Sequence, residues 1–352
     1  MNTLVLLLSL SAASAVVPAS TVQPSMDGTW RARLQDTWTR NDGEPWVSLQ
    51  LERDADSQFG LSVPVKELEG LGMRGTSWTA SDVRFTIRRD AGNIALQGSF
   101  VDGRGAGLWH FTPHAEFVGW LEKTYSTVSS ETVLQLALVD VSRSFIASMQ
   151  AEGYATVALD DLTKMRIHGV DAPYVQGLRK AGYDKLSVGE LVKTRIHGAT
   201  PAFAQEVKSA GVGQVSIDDL VKMRIHGVTP DFIRDLRTLG YGTLDVDQLV
   251  QLRIHGVTTA FIRELADLGY KNPALRDLVQ MRIHGVTSQF IKELRDLGYT
   301  NVSTDDLVKM RIHGVTPEFI RDVKAAGFKD MTPDDLVAFS IHGGRQWMKK
   351  RG

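Results

Sequence analysis

The sequence predicts an α+β protein, in which an N-terminal antiparallel β sheet or small barrel precedes an α-solenoid of two-helix repeats of 29 residues. Two observations predict this fold class. Residues 27–111 alternate between apolar and polar side chains, which is typical of strands that bury one face. Further along the chain, the tripeptide Ile-His-Gly returns every 29 residues, which indicates an internal structural repeat.

The alternation is clearest in three segments of the predicted β domain. Val83, Phe85 and Ile87 would share one face of a strand, with polar residues between them, and 47–51 and 94–100 follow the same pattern. Sequences rich in Asn, Asp and Gly separate these segments, as expected for turns. We therefore expect about six antiparallel strands over 27–111.

Tryptophan is concentrated in this part of the chain. Six of the seven tryptophans lie between Trp30 and Trp120, and large aromatic side chains of this kind usually fill a core. The alternative is an aromatic platform for a ligand, for which Trp109 is the candidate surface residue.

Each repeat is predicted to form two short helices joined by a tight turn. In the unit 216–241, Ser216 is a natural N-cap, and Gly227 is typical of the left-handed residue that ends a helix. Thr229 and Pro230 then open a second helix. The predicted buried residues are Leu220, Val221 and Ile225 in the first helix and Phe232, Ile233, Leu236 and Leu239 in the second.

The chain is predicted to contain seven such units. Helices of about ten residues are marginal alone in water, so the repeats must stack on one another. The first unit has Leu138-Val139-Asp140 in place of Ile-His-Gly, and Thr112-Pro113 is expected to open a helix ahead of it. The predicted segments are a signal peptide over 1–19, the β domain over 27–111, a helical cap or junction over 112–136, the repeats over 137–339, and a truncated repeat with a basic tail over 340–352.

The first residues indicate export. An apolar run over 4–10 is followed by Ala13-Ser14-Ala15, which resembles a signal-peptidase cleavage site near residue 15. Pro18 ends the stretch before the roughly 20 apolar residues that a membrane span needs. We expect a periplasmic or extracellular protein without a membrane span.

Neither catalysis nor a cofactor is predicted. The chain has no cysteine, which excludes thiol chemistry and disulfides, and no catalytic constellation is apparent. The repeated histidines would lie at helix ends about 8–10 Å apart, whereas zinc ligands must lie within about 4 Å of one another. A helix-end role is therefore favoured, and metal binding is the alternative for His168, His197, His226, His255, His284 and His313.

The repeated arginines are the other candidate for binding. They recur at one position of successive units and could form a basic stripe, although pairing between repeats is the favoured interpretation. The formal net charge of −1 weighs against a nucleic-acid partner. The candidate binding residues are Arg195, Arg224, Arg253, Arg282 and Arg311, together with Trp109.

The repeat also resembles a known module. Residues 223–233, with the sequence Met-Arg-Ile-His-Gly-Val-Thr-Pro-Asp-Phe-Ile, resemble helical repeats of exported bacterial proteins. Such repeats also occur in the extracytoplasmic parts of β-lactam-sensing, antirepressor-type membrane metallopeptidases. The segment 97–107 resembles the sheet segment that precedes the repeats in those proteins. Because this chain lacks the His-Glu-x-x-His zinc motif, the resemblance implies a module without the peptidase and no catalytic residue.

Together these features predict an exported, non-enzymatic binding or scaffold protein, whose solenoid surface holds a protein or a cell-envelope polymer. One alternative is a structural protein that self-associates through its repeats into filaments or an envelope layer. A further alternative is a small-ligand carrier that uses the β domain.

Overall fold

The computed structural model describes residues 25–35, 45–54, 57–72 and 77–344. The predicted signal peptide and the basic tail after Gly344 lie outside the described residues. Within them the chain is α+β, as the sequence predicts, with seven strands followed by sixteen helices. It divides into two units, Met1–Asp171 and Ala172–Gly352, which are described separately.

The first unit contains a single curled sheet in the form of a half-barrel. Its strands are β1 (Met26–Gln35), β2 (Trp46–Asp54), β3 (Ser57–Pro64), β4 (Leu68–Glu69), β5 (Ala80–Arg89), β6 (Gly92–Val101) and β7 (Arg104–Pro113). All neighbours are antiparallel in the order β3-β2-β1-β7-β6-β5-β4. About six strands were expected, and the additional β4 has only two residues, which is too short to show an alternation.

The buried face of the sheet is the one that the alternation predicts. Val83, Phe85 and Ile87 are all buried, while the polar residues between them face outward. Trp30 lies at the centre of this face, where its indole N–H donates a 3.0 Å hydrogen bond to the carbonyl of Gln97. Its polar atom is therefore satisfied although the ring is buried.

Glycines allow β6 and β7 to approach closely beneath Trp30. Gly98 pairs with Gly107 across the two strands. A Cβ on Gly107 would lie 1.9 Å from the carbonyl oxygen of Gln97, and one on Gly98 would lie 2.8 Å from the Trp30 ring. The turn that joins these strands uses Asp102 and Gly103, both with positive φ, which is the hairpin geometry expected of that dipeptide.

Four helices complete the first unit, namely α1 (Ala115–Tyr125), α2 (Ser130–Leu138), α3 (Arg143–Ala151) and α4 (Leu159–Ile167). The prediction that Thr112-Pro113 opens a helix is wrong. Both residues belong to β7, where Pro113 is the partner of Gly92, and α1 begins only after His114. Among the described residues no single helix is long and apolar enough to cross a membrane, and only α2 and α3 taken together reach that length and composition, with an 80° bend between them.

Ion pairs join the first repeat to the sheet. Asp140 occupies the glycine position of later repeats with φ of 59°, and its carboxylate lies 2.7 Å from Arg166 and 3.8 Å from Arg89 of β5. Arg143 binds Asp90, in the β5–β6 turn, through both its guanidinium and its backbone N–H. The Arg143 side chain holds the pKa of Asp90 below its usual value. Asp140 thus forms ion pairs that the glycine at this position in later repeats could not form.

The second unit contains twelve helices, of which the even-numbered are the first helices of their repeats and the odd-numbered are the second. They are α5 (Ala172–Lys180), α6 (Val188–Ile196), α7 (Pro201–Val207), α8 (Ile217–Ile225), α9 (Pro230–Leu236), α10 (Val246–Ile254), α11 (Thr259–Asp267), α12 (Leu275–Ile283), α13 (Ser288–Asp296), α14 (Thr304–Ile312), α15 (Pro317–Ala325) and α16 (Pro333–Ile341). Two of them, α7 and α9, continue into wider π-type turns.

The boundaries of α8 and α9 follow the predicted capping residues. The Ser216 side chain accepts a hydrogen bond from the backbone N–H of Asp219 at the start of α8. Gly227 has φ of 68°, a left-handed conformation that glycine adopts without strain. The Thr229 side chain then caps α9, with Pro230 as its first residue. Local side-chain chemistry therefore sets the two-helix form of the repeat.

The prediction that Ile225 belongs to the core of the repeat is wrong. Ile225 was assigned to the buried face of α8, but its side chain is 55% exposed. At about 100° per residue, Ile225 lies roughly 140° around the helix from Leu220. Met223, which was not assigned to the core, lies about 60° from Leu220 on the other side and is fully buried.

Tyrosine hydroxyls connect successive repeats of the second unit. Each donates a hydrogen bond to a backbone carbonyl 32 residues further along the chain. The pairs are Tyr241 with Pro273 at 3.0 Å, Tyr270 with Val302 at 2.7 Å and Tyr299 with Met331 at 2.9 Å. Burial raises the pKa of Tyr241 to about 12, so this hydroxyl remains a donor throughout the neutral range.

In one repeat, a tyrosine and a threonine that form a hydrogen bond replace the Phe and Met of most other repeats. Most repeats place Phe at the second-helix core position, but one has Tyr174, whose hydroxyl donates to Thr194 at 3.0 Å. Thr194 is fully buried and occupies the position of Met223 and Met281 in other repeats. The two polar residues therefore compensate each other inside an apolar core.

We expect Thr194→Met alone to lower the free energy of unfolding by about 1–3 kcal/mol, because the Tyr174 hydroxyl loses this buried partner. Adding Tyr174→Phe should restore most of the loss, because the pair then matches that of the other repeats. Urea unfolding of the wild type, both single variants and the double variant measures the coupling. Additive losses in the double variant would contradict the compensation.

Candidate binding surface

The repeated arginines pack between successive repeats. Each guanidinium lies over the aromatic ring of the preceding second helix, as Arg224 does over Phe203 at 5.1 Å from the ring centroid. The equivalent pairs are Arg195 with Tyr174 at 4.3 Å, Arg253 with Phe232 at 5.1 Å, Arg282 with Phe261 at 5.1 Å and Arg311 with Phe290 at 5.2 Å. These contacts are cation–π interactions, which stabilise the stack of repeats.

Trp109, the other candidate surface residue, is part of the core of the β domain. Its side chain is 1% exposed, and its indole N–H donates a hydrogen bond of 3.3 Å to the carbonyl of Glu52. The ring is therefore buried with its donor satisfied, and Trp109 is also one of the residues that line a hollow on the sheet.

The repeated histidines follow the last residue of each first helix. His226, for example, directly follows α8, and its backbone N–H donates to the carbonyl of Lys222 at 3.1 Å. No group of three or more His, Asp or Glu side chains in the described parts of the chain is arranged to hold a metal ion. The same helix-end position recurs at His197, His255, His284, His313 and His342.

The isoleucine before each histidine is the most unusual surface feature of the repeats. We call the six that belong to the second unit the isoleucine row. Their exposed fractions are 57% for Ile196, 55% for Ile225, 56% for Ile254, 48% for Ile283, 51% for Ile312 and 52% for Ile341. Isoleucine is among the residue types most often buried, so a recurring exposed one requires an explanation.

The exposure is concentrated at this one repeat position. Among the described residues, ten large apolar side chains are exposed, and seven of them are the isoleucines of Ile-His-Gly or its equivalent. Single exposed apolar side chains are normal, whereas this series returns at the same position of successive repeats. The other three are Val101, Leu108 and Phe328.

The lysines on the same helices are paired with aspartates. Lys193 lies 2.6 Å from Asp218 of the next repeat, Lys222 pairs with Asp247, and Lys309 lies 3.6 Å from Asp334. The two intervening repeats have the neutral residues Gln251 and Gln280 at the lysine position. The lysine position therefore adds no unpaired positive charge beside the isoleucine row.

A separate hollow of about 600 Å³ lies on the sheet of the first unit. Leu108, which is 55% exposed, contributes to its lining, and at its edge the Nδ1 atom of His110 lies 2.5 Å from Asp27. Its other lining residues include Thr29, Thr86, Ala95 and Gln97. The lining of the hollow combines apolar side chains with both acidic and basic groups.

Comparison with known proteins adds no assignment to either surface. No protein-family model matches the chain, and no curated protein matches it.

Proposed function

We propose that this protein is an exported binding module, and that the isoleucine row is the surface through which its repeats hold a protein or polymer partner. The observation that supports this most is the concentration of exposed large apolar side chains, among the described residues, at one position of the repeat. Folding gains little from an isoleucine that remains half exposed in every repeat. Binding to a partner would bury these side chains.

The charges around the row favour a partner that is not a polyanion. Five repeated arginines already lie over aromatic rings, and Lys193, Lys222 and Lys309 pair with aspartates of the next repeat. Nucleic-acid binders instead present clustered basic side chains to phosphate groups. The proposed partner therefore contacts the row mainly through apolar groups.

Two residues in and just before α16 favour the binding proposal over filament growth. Ala338 occupies a position where inner repeats have lysines that reach an aspartate of the following repeat. Phe328 occupies the position of the tyrosines that donate to the following repeat, and it packs 5.3 Å from Phe339. Phe328 and Ala338 thus replace two of the polar groups through which inner repeats contact the next one.

Site-specific cross-linking in the cells that make the protein tests the proposal. A benzoylphenylalanine residue at position 254 lies in the isoleucine row, whereas the same residue at Ala260 lies on the second helix of the same repeat, and at Leu108 it lies in the β-domain hollow. We expect a discrete cross-linked product from position 254 and none from 260.

A product from Leu108 alone would contradict the proposed use of the repeats and favour ligand binding by the β domain. Dimers and higher multimers of the chain from position 254 would instead show that copies of the protein cover the row, which supports the structural alternative.

A further inference from the structure

We infer that the isoleucine row holds an extended polypeptide in the polyproline II conformation, with an uncharged apolar side chain at every third residue. This inference rests on the proposed function and names the chemistry of the partner. It follows from the spacing of the row, the histidines beside it and its charge.

The spacing of the row is set by helix packing. Successive first helices of the second unit pack against one another, with Cα atoms within 8 Å. The axes of packed helices are about 8–10 Å apart, and each of these helices contributes one exposed isoleucine at its end. The row therefore offers one apolar contact about every 8–10 Å, repeated six times.

Polyproline II is the extended conformation whose side-chain repeat matches this spacing. With three residues per turn and a rise of about 3.1 Å, it places a side chain on the same side about every 9.3 Å. A β-strand repeats one face about every 6.6–6.8 Å, which falls outside the range. An α-helix returns a side chain to nearly the same direction after seven residues, or about 10.5 Å, and so drifts out of register along six sites.

The histidines provide the polar contacts that such a chain requires. Polyproline II has no internal hydrogen bonds, so its carbonyl groups and remaining N–H groups need partners when they leave water. An exposed or half-exposed histidine follows every isoleucine of the row, as His226 follows Ile225 and His255 follows Ile254. A neutral imidazole offers one donor and one acceptor. Each repeat can thus hold one side chain and one backbone group.

The charges on the first helices indicate which kind of ligand residue contacts the row. The lysines at positions 193, 222 and 309 pair with aspartates, and the two intervening repeats have glutamine. A regularly charged ligand would find no complementary series of charges at this lysine position, and the repeated guanidiniums of the same helices lie over aromatic rings. The contact residues are therefore apolar and uncharged, and the residues between them face solvent.

Fluorescence anisotropy with synthetic peptides tests the inference on the full chain. The probe is an 18-residue peptide of six Leu-Pro-Gln triplets, and the control has the same composition with its leucines in one block. We expect the periodic peptide to bind at least tenfold more tightly than the block peptide. Shortening the probe to three triplets, or introducing Ile225→Thr, Ile254→Thr and Ile283→Thr together, should each weaken binding at least tenfold.

Equal affinities for the periodic and block peptides would overturn the inference, as would tighter binding of a peptide with leucine at every seventh residue. Binding of the periodic peptide that is unaffected by the three isoleucine substitutions would place the ligand elsewhere and also overturn it. If no peptide binds while position 254 still cross-links a partner in cells, the periodic ligand is wrong and the proposed function stands.

Discussion

Replacing Phe261 by alanine is expected to lower the free energy of unfolding of the repeats by about 3–5 kcal/mol, the range typical of large-to-small changes in a core. The Phe261 ring is 5% exposed and belongs to the core shared by neighbouring repeats. It also lies beneath the Arg282 guanidinium, so its removal eliminates a contact with the next repeat.

The matched control is Ile254→Ala in the same repeat. Both residues are large and apolar, but Ile254 is 56% exposed, and we expect its substitution to change the free energy of unfolding by at most about 0.5 kcal/mol. Guanidinium unfolding followed by circular dichroism measures both variants. Similar losses for the two would contradict the conclusion that the isoleucine row contributes little to folding.

Local capping chemistry made the helix boundaries of the repeat predictable from sequence. Ser216, Gly227 and Thr229 act on backbone groups within three residues of themselves, so no knowledge of the tertiary structure is needed. Alternation predicted the buried face of the sheet for the same reason, since it depends only on the two-residue period of a strand.

The same local chemistry failed where a partner strand intervened. Thr-Pro opens a helix at Thr229-Pro230, but at Thr112-Pro113 the backbone continues alongside β6 and pairs as far as Gly92. The dipeptide is compatible with both structures, and the neighbouring strand decides between them. Such a long-range contact cannot be inferred from a two-residue signal.

The isoleucine row was missed because Ile225 was counted as an apolar residue without regard to its angle on the helix. A helical projection that includes Met223 places the buried face around Leu220 and leaves Ile225 to one side. That projection uses only the sequence, so the exposed position could have been found. The return of isoleucine at this position, from Ile167 to Ile341, is the additional signal.

The contacts between the repeated arginines and the aromatic rings could not be predicted from a helical projection of the sequence. Arg224 and Phe203 are 21 residues apart on different helices, and their contact depends on how one repeat is oriented on the next. Sequence spacing indicates that arginine and an aromatic residue both recur, but it does not distinguish an arginine that covers a ring from one that faces a partner.

The most direct test of the account compares two triple variants of the full chain. One carries Ile225→Thr, Ile254→Thr and Ile283→Thr, which keep the branched shape but remove the apolar surface of half the row. The control carries Asp231→Thr, Ala260→Thr and Gln289→Thr, which change exposed residues at one position of the second helices in the same repeats. Each variant also has benzoylphenylalanine at position 312, and the yield of cross-linked partner in cells is measured.

We expect both variants to unfold at nearly the same denaturant concentration as the wild type, because all six side chains are exposed. The yield of cross-linked partner should fall at least tenfold in the isoleucine variant and remain unchanged in the control. A folded isoleucine variant that retains the wild-type yield would contradict the central claim that the repeats bind their partner through the isoleucine row.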